Sequence, residues 1–113
     1  MQMFDFNAIQ QPTWPIKLAD DNQTVVRLSY PSLELADRLV AMSESMREVV
    51  NKRDGTAIKN AFSVVAAVMS CNEDGLTFTA EELRDKYRMT LLGMAQFTAG
   101  YMTFLKEANN AGN

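Results

Sequence analysis

The chain has 113 residues, of which 47% are hydrophobic and 22% are charged, and its formal net charge is -3. This size and composition predict one globular domain; no apolar run approaches the ~20 residues of a membrane span, and the negative charge disfavours binding to nucleic acid phosphates. Because the chain has no histidine, it lacks an imidazole base and imidazole metal ligands, which excludes the commonest small-enzyme mechanisms.

Residues 1–13 are a mixed, largely polar N-terminal arm. They lack the basic start and the apolar stretch of a secretory signal peptide. The single cysteine, Cys71, excludes an internal disulfide and is typical of a reducing compartment. We therefore expect a cytoplasmic protein.

A β-hairpin is predicted directly after this arm. Two runs, 14–19 and 24–30, alternate apolar and polar side chains, and the link at 20–23 consists of turn formers. Pro15 has no N–H to donate, so its strand is expected at a sheet edge. The apolar side chains of one face are Trp14, Ile16 and Leu18 of the first run, and Val26, Leu28 and Tyr30 of the second. A lone hairpin is marginal in water, so this face is expected to pack on helices.

The alternation places Lys17 and Arg27 on the outer face of the hairpin and Leu28 on the packed face. An acidic substitution at Leu28 would bury an unpaired charge, whereas the same substitution at Arg27 would stay in water. The sequence therefore predicts a large loss of stability at Leu28 and almost none at Arg27.

The rest of the chain has helical periodicity. Thr79 and Glu82 match a capping box, and Thr90 is a candidate cap for the terminal helix. Between helices, residues 76–78 are interpreted as a short extended segment that packs Leu76 and Phe78 inward. The predicted helices span, in order, residues 32–52, 56–70, 80–88 and 90–107.

The fold class is therefore α+β and mainly α, with an N-terminal β-hairpin packed on a bundle of about four helices. We expect a single domain over residues 1–113. Its parts are the arm at 1–13, the hairpin at 14–30, the helical part at 32–108 and a flexible tail at 109–113.

No motif in the sequence predicts catalysis, a cofactor or a metal site. The acid-rich turns at 20–22 and 73–75 do not match the twelve-residue calcium loop, and the five glycines are too scattered for a phosphate-binding loop. The basic residues Arg84, Lys86 and Arg88 alternate with other types and are interpreted as solvated helix faces. Enzymatic activity and metal dependence are therefore not expected.

The terminal helix is apolar around most of its circumference, which predicts two apolar rows. One contains Leu91, Ala95, Met102 and Leu105, and the other contains Met94, Phe97, Tyr101 and Phe104. A surface helix in a small monomer can bury one row as core, so the other is expected to meet a second copy of the chain or a client. Aromatic side chains dominate interface energetics and methionine adapts to varied partners, which favours the second row as the partner-binding site.

Four segments together resemble a known family. They are Asp5-Phe6-Asn7, residues 12–18 leading into the hairpin, residues 30–35 opening the first helix, and residues 78–83 ahead of an aromatic-rich terminal helix. This order is similar to that of the small tail assembly chaperones of long-tailed bacteriophages and prophages. The resemblance covers about residues 5–106.

The resemblance implies a non-enzymatic protein of the infected cell's cytoplasm that coats the tape-measure protein. That client is long, helical and prone to aggregate until subunits of the major tail protein polymerise around it. The family has no catalytic or cofactor-binding residues to transfer, and many members also exist in an extended, frameshifted form. The residues leave alternatives open: a small helical oligomeric protein with a structural or regulatory role in a phage or bacterium, a helical domain associated with nucleic acid, or an enzyme.

Overall fold

The computed structural model describes residues 3–5, 12–52 and 55–111. A two-stranded antiparallel sheet precedes four helices, so the α+β, mainly α fold with an N-terminal hairpin is confirmed. The elements are β1 (Trp14–Lys17), β2 (Val25–Leu28), α1 (Leu33–Lys52), α2 (Gly55–Met69), α3 (Ala80–Asp85) and α4 (Leu91–Ala111).

The hairpin has the register that its alternation predicts. Trp14 pairs with Leu28, and Ile16 pairs with Val26. Val26 and Leu28 are fully buried, while Arg27 between them is exposed. The inner face of the hairpin therefore belongs to the hydrophobic core, which also includes Leu18 beyond the end of β1.

The turn of the hairpin is closed by Asp20. Its carboxylate accepts a hydrogen bond from the Thr24 hydroxyl at 2.7 Å and another from the Thr24 backbone N–H at 2.9 Å. These bonds favour the ionised form and lower the pKa of Asp20, the hydroxyl bond having the larger effect. This turn is thus an internally bonded structural element.

The second edge of β2 is closed by the segment that follows α2. Ser29 N–H donates to the Cys71 carbonyl at 2.8 Å, and Glu73 N–H donates to the Arg27 carbonyl at 3.0 Å. Asp74 accepts from the Arg27 backbone N–H at 2.8 Å and from the Arg27 guanidinium at 2.9 Å. The backbone bond first, and the guanidinium bond second, lower the pKa of Asp74. Residues 71–74 thus clamp the hairpin to the end of α2, and Arg27 is part of the clamp.

Helices α1 and α2 pack against each other. Ser32 opens α1 by accepting a hydrogen bond from the Leu35 N–H. A cleft between the two helices is lined by Arg38 and Met42 of α1 and by Asn60 and Val64 of α2. The apolar middle of α2 is almost wholly buried, so α2 is the central helix, as its composition predicts.

Both later helices begin at the predicted caps. Thr79 and Glu82 form the complete capping box of α3, and the Thr90 hydroxyl accepts from the Gly93 N–H at 2.9 Å to open α4. Helix α3 ends at Asp85, three residues earlier than predicted. Its C-terminal backbone turns sharply through Arg88, whose φ is 54°.

Two expectations need correction. Phe78 is buried, but Leu76 is 38% exposed, because the Asn72 side chain accepts from the Leu76 N–H and donates to its carbonyl, which holds this backbone in a loop. Helix α4 continues to Ala111, so residues 109–111 of the predicted tail are helical, and residues 112–113 lie outside the described part.

Of the predicted arm, residues 1–2 and 6–11 also lie outside the described part. No helix among the described residues is long and apolar enough to cross a membrane.

The clamp changes the expected effect of charge reversal on the hairpin. Leu28→Asp should lower the free energy of unfolding by on the order of 3–4 kcal/mol, because it places an unpaired charge at a fully buried position. Arg27→Asp should not be silent: it should lower the melting temperature by a smaller amount, because the new carboxylate faces Asp74 and Glu73.

Lys17→Asp is the matched control, since Lys17 is exposed on the neighbouring strand and has no ion pair with a described side chain. Thermal unfolding followed by circular dichroism ranks the three variants. A melting temperature for Arg27→Asp equal to that of Lys17→Asp would contradict the clamp.

Candidate interaction surfaces

The four residues predicted to bind a partner lie on the side of α4 that faces the hairpin. Met94 and Tyr101 are fully buried, and Phe97 and Phe104 are half-buried and packed on the core. The aromatic row is thus part of the chain's own core, which corrects the expectation that it is the free face of α4.

Trp14 of β1 lies against the three aromatic members of this row. Its ring centroid lies 5.7 Å from that of Phe97, 5.9 Å from that of Tyr101 and 6.2 Å from that of Phe104. The Tyr30 ring, at the same open end of the hairpin, lies 5.9 Å from Phe104. Rings at these separations attract beyond their buried area. The hairpin is therefore attached to α4 by an aromatic cluster, defined as Trp14, Tyr30, Phe97, Tyr101 and Phe104.

Gly100 allows Trp14 to approach the helix so closely. A Cβ atom at position 100 would lie 2.9 Å from Cη2 and 3.1 Å from Cζ2 of the Trp14 ring, closer than atoms pack. The absence of a side chain at Gly100 therefore leaves space on one turn of α4 for the indole ring of Trp14. Glycine weakens a helix interior by about 1 kcal/mol relative to alanine, so this gap has a cost in helix stability.

Tyr101 adds one polar bond to the aromatic cluster. Its hydroxyl donates to the Ser29 carbonyl at 2.8 Å, at the point where the chain leaves β2. Burial raises the pKa of Tyr101 well above its usual range, so the phenol stays neutral and keeps its proton for this bond. The Tyr101 hydroxyl is thus bonded within the chain.

The second row of α4 is also packed inward. Leu91, Ala95, Met102 and Leu105 are each partly buried against the core. Helix α4 contacts both the hairpin and the α1–α2 pair, so both of its apolar rows are used within one chain. The sequence could not show which row would pack on the hairpin, because both rows are apolar. The available signal was Gly100, which leaves space on α4 for the ring of Trp14.

A groove of about 280 Å³ lies between β1 and the start of α4. Its apolar lining comes from Ile16, Leu18, Met69, Met89 and Phe97. These side chains are already buried or half-buried in the chain. The groove is therefore a shallow gap in the packing of hairpin on helix.

The basic residues near α3 lie among acidic and aromatic groups. Arg84 pairs with Asp85 at 3.2 Å, and the Lys86 ammonium lies 5.3 Å from the centre of the Tyr87 ring. Lys86 and Arg88 share a depression with Asp20 of the hairpin turn. The positive charge here is partly compensated, which agrees with the interpretation of solvated helix faces.

The acidic groups and the cysteine do not assemble into a recognisable chemical site. Among residues 3–5, 12–52 and 55–111, no three carboxylate or cysteine side chains are grouped to hold a metal ion. Cys71 is half-buried at the end of α2, and burial raises the pKa of its thiol, which disfavours the reactive thiolate.

Exposed apolar side chains lie elsewhere on the helices. Leu33 of α1 is 80% exposed, Val40 of α1 is 38% exposed, and Leu92 of α4 is 67% exposed. Leu33 and Val40 are seven residues apart and so lie on one side of α1. Together they give α1 an exposed apolar strip.

Comparison of the chain with protein-family models, curated proteins and solved structures found no match.

The contact between Trp14 and Gly100 predicts that Gly100→Ala destabilises the protein when the Trp14 ring is present and stabilises it when the ring is removed. Gly100→Ala alone should lower the free energy of unfolding by about 1–2 kcal/mol, because the methyl group overlaps a ring held among other rings. In a Trp14→Leu background the same change should raise stability by about 1 kcal/mol, the helix propensity difference. Urea unfolding of the four proteins measures both steps, and stabilisation by Gly100→Ala in both backgrounds would disprove the close contact.

Proposed function

We propose that the chain is a non-enzymatic assembly chaperone of a long-tailed phage or prophage. In this role it binds the tape-measure protein in the cytoplasm of the infected cell and keeps it soluble until tail-tube subunits assemble. The major tail protein, which takes over the client, is the second partner.

The resemblance of residues 5–106 to tail assembly chaperones supports the proposal. The resemblance implies a hairpin followed by helices, and the structure has a hairpin and four helices. The described residues group no metal-binding set, and the sequence has no histidine with which to build the usual acid–base pairs. The chemistry of the chain thus resides in its surfaces.

The exposed apolar side chains of α1 carry the proposal. Both rows of α4 are packed and β2 has fully buried residues, yet Leu33 of α1 is 80% exposed and Val40 of α1 is 38% exposed. Isolated apolar contacts of this kind give weak association, since a fully buried leucine contributes only about 1.5–3 kcal/mol. Weak, distributed contacts suit a holding protein, because tail subunits must displace it.

Co-expression tests the proposal. The chain and the tape-measure protein encoded with it are produced together, and the tape-measure protein is quantified in the soluble fraction and after affinity capture of the chain. We expect several-fold more soluble tape-measure protein than without the chain, and its recovery in the captured material. The destabilised variant Leu28→Asp serves as the control that removes the fold.

Two results would contradict the proposal. In one, the tape-measure protein stays insoluble although the chain is folded and abundant. In the other, the chain forms a defined oligomer on its own and captures no tape-measure protein, which would favour a structural subunit.

A further inference from the structure

The outer side of α1 combines an apolar row with an acidic row. Leu33 and Val40 lie about two helical turns apart, or about 10.5 Å along the axis. Asp37, Glu44 and Glu48, all exposed, lie beside them on the side away from the core. The partly buried Ala36 and Ser43 lie on the other side of the apolar row, next to the core positions.

The spacing of this row is that of a heptad. Positions 33, 36, 40 and 43 follow one another at steps of three and four residues, the pattern by which one helix receives another. The side chains at these four positions are Leu, Ala, Val and Ser. The small residues allow a second helix to approach, and the larger ones give it apolar contact.

The acidic row is free to pair with a partner. Asp37, Glu44 and Glu48 make no ion pair with any side chain in the part of the chain that the structure describes. Arg38 does not share this side, since it lines the cleft between α1 and α2. A helix docked on the row would therefore face several carboxylates that form no ion pair within the described part of the chain.

A second copy of this chain does not offer the complementary helix. Its exposed basic residues near α3 belong to a six-residue helix and the loop after it. The exposed row of α4 contains one cation, Lys106, among Leu92, Gln96, Ala99 and Thr103. Among the side chains that the structure describes, no helix combines an exposed apolar row with a flank of lysine or arginine.

We propose that the outer side of α1 binds an amphipathic helix of the client whose apolar row is flanked by lysine or arginine. This proposal rests on the proposed function, because it names the segment of the tape-measure protein that the chaperone recognises. Leu33 and Val40 supply the apolar contact, while Asp37, Glu44 and Glu48 select a basic flank and set its orientation.

A synthetic helical peptide tests the surface on the full chain. The probe is a peptide of about three heptads with leucine at the core positions and lysine at the flanking positions. A second peptide has glutamate in place of lysine. Fluorescence anisotropy should show binding of the lysine peptide that weakens with added salt, and no binding of the glutamate peptide.

Two double variants separate the apolar and the charged parts. Leu33→Ser with Val40→Ser should weaken binding of the lysine peptide at least about tenfold. Asp37→Lys with Glu44→Lys should abolish binding of the lysine peptide and allow binding of the glutamate peptide. Because these side chains are exposed, the melting temperature should stay close to that of the unmodified chain.

Matched controls lie on other helices. Leu92→Ser removes an apolar side chain of similar exposure, and Glu81→Lys reverses an exposed acid of α3. Both should leave the affinity unchanged. Equal binding of the two peptides, or the same loss with Leu92→Ser, would overturn the proposal, as would sedimentation data in which Leu33→Ser with Val40→Ser only converts a dimer of the chain to monomers.

Co-expression of the Leu33→Ser, Val40→Ser variant distinguishes this proposal from the function on which it rests. If the unmodified chain and the variant keep the tape-measure protein equally soluble, the function stands and the α1 surface is wrong. If the unmodified chain binds the lysine peptide but leaves the tape-measure protein insoluble, the surface stands and the function is wrong. If the unmodified chain keeps the tape-measure protein soluble and the variant does not, the result supports both the function and the α1 surface.

Discussion

The contact of the Trp14 ring with α4 is the interaction on which the rest of the structure depends. A two-stranded hairpin has little stability of its own, so its position comes from what it packs against. Trp14 lies among Phe97, Tyr101 and Phe104, and Gly100 leaves the space for it. One side chain thereby joins the first element of the chain to the last.

The clamp after α2 holds the other side of the hairpin. Backbone bonds from Ser29 and Glu73, with the paired Arg27 and Asp74, tie β2 to the end of the central helix. The hairpin therefore lies between α2 and α4 with both of its connections made. Its inner face is part of the hydrophobic core.

This arrangement moves the candidate partner surface from α4 to α1. In α4 one apolar row meets the hairpin and the other is partly buried against the core. In α1 the core takes Leu35, Leu39, Met42 and Met46, and the exposed Leu33 and Val40 lie outside that stripe. The free apolar surface is small and bordered by acids, which fits selective, reversible binding better than permanent assembly.

Local signals predicted the elements well. The alternation of residues 14–30, the Thr79–Glu82 capping box and the Thr90 cap each depend on neighbours in the sequence, and each is present. The orientation of α4 was not predictable in the same way, because both of its rows are apolar and periodicity cannot rank them. The pairing of Arg27 with Asp74 spans 47 positions, so it belongs to tertiary structure alone.

Leu33 lies outside the buried stripe of α1. Helical periodicity starts that stripe at Leu35, and Leu35, Leu39, Met42 and Met46 are buried, while Leu33 at the first position of the helix is exposed. The turn of a helix that meets the core depends on where the chain leaves the preceding strand. Here Tyr101 binds the carbonyl of Ser29, and α1 starts beyond that anchor with its first leucine in solvent.

Amide hydrogen exchange of the chain, alone and bound to the tape-measure protein, tests the central claim most directly. In the free protein the amides of residues 94–104 should already exchange slowly, because this part of α4 is core, and binding should add protection along residues 33–48 of α1. New protection that appears instead on residues 94–104, with α1 unchanged, would contradict the account and return the partner surface to the aromatic row of α4.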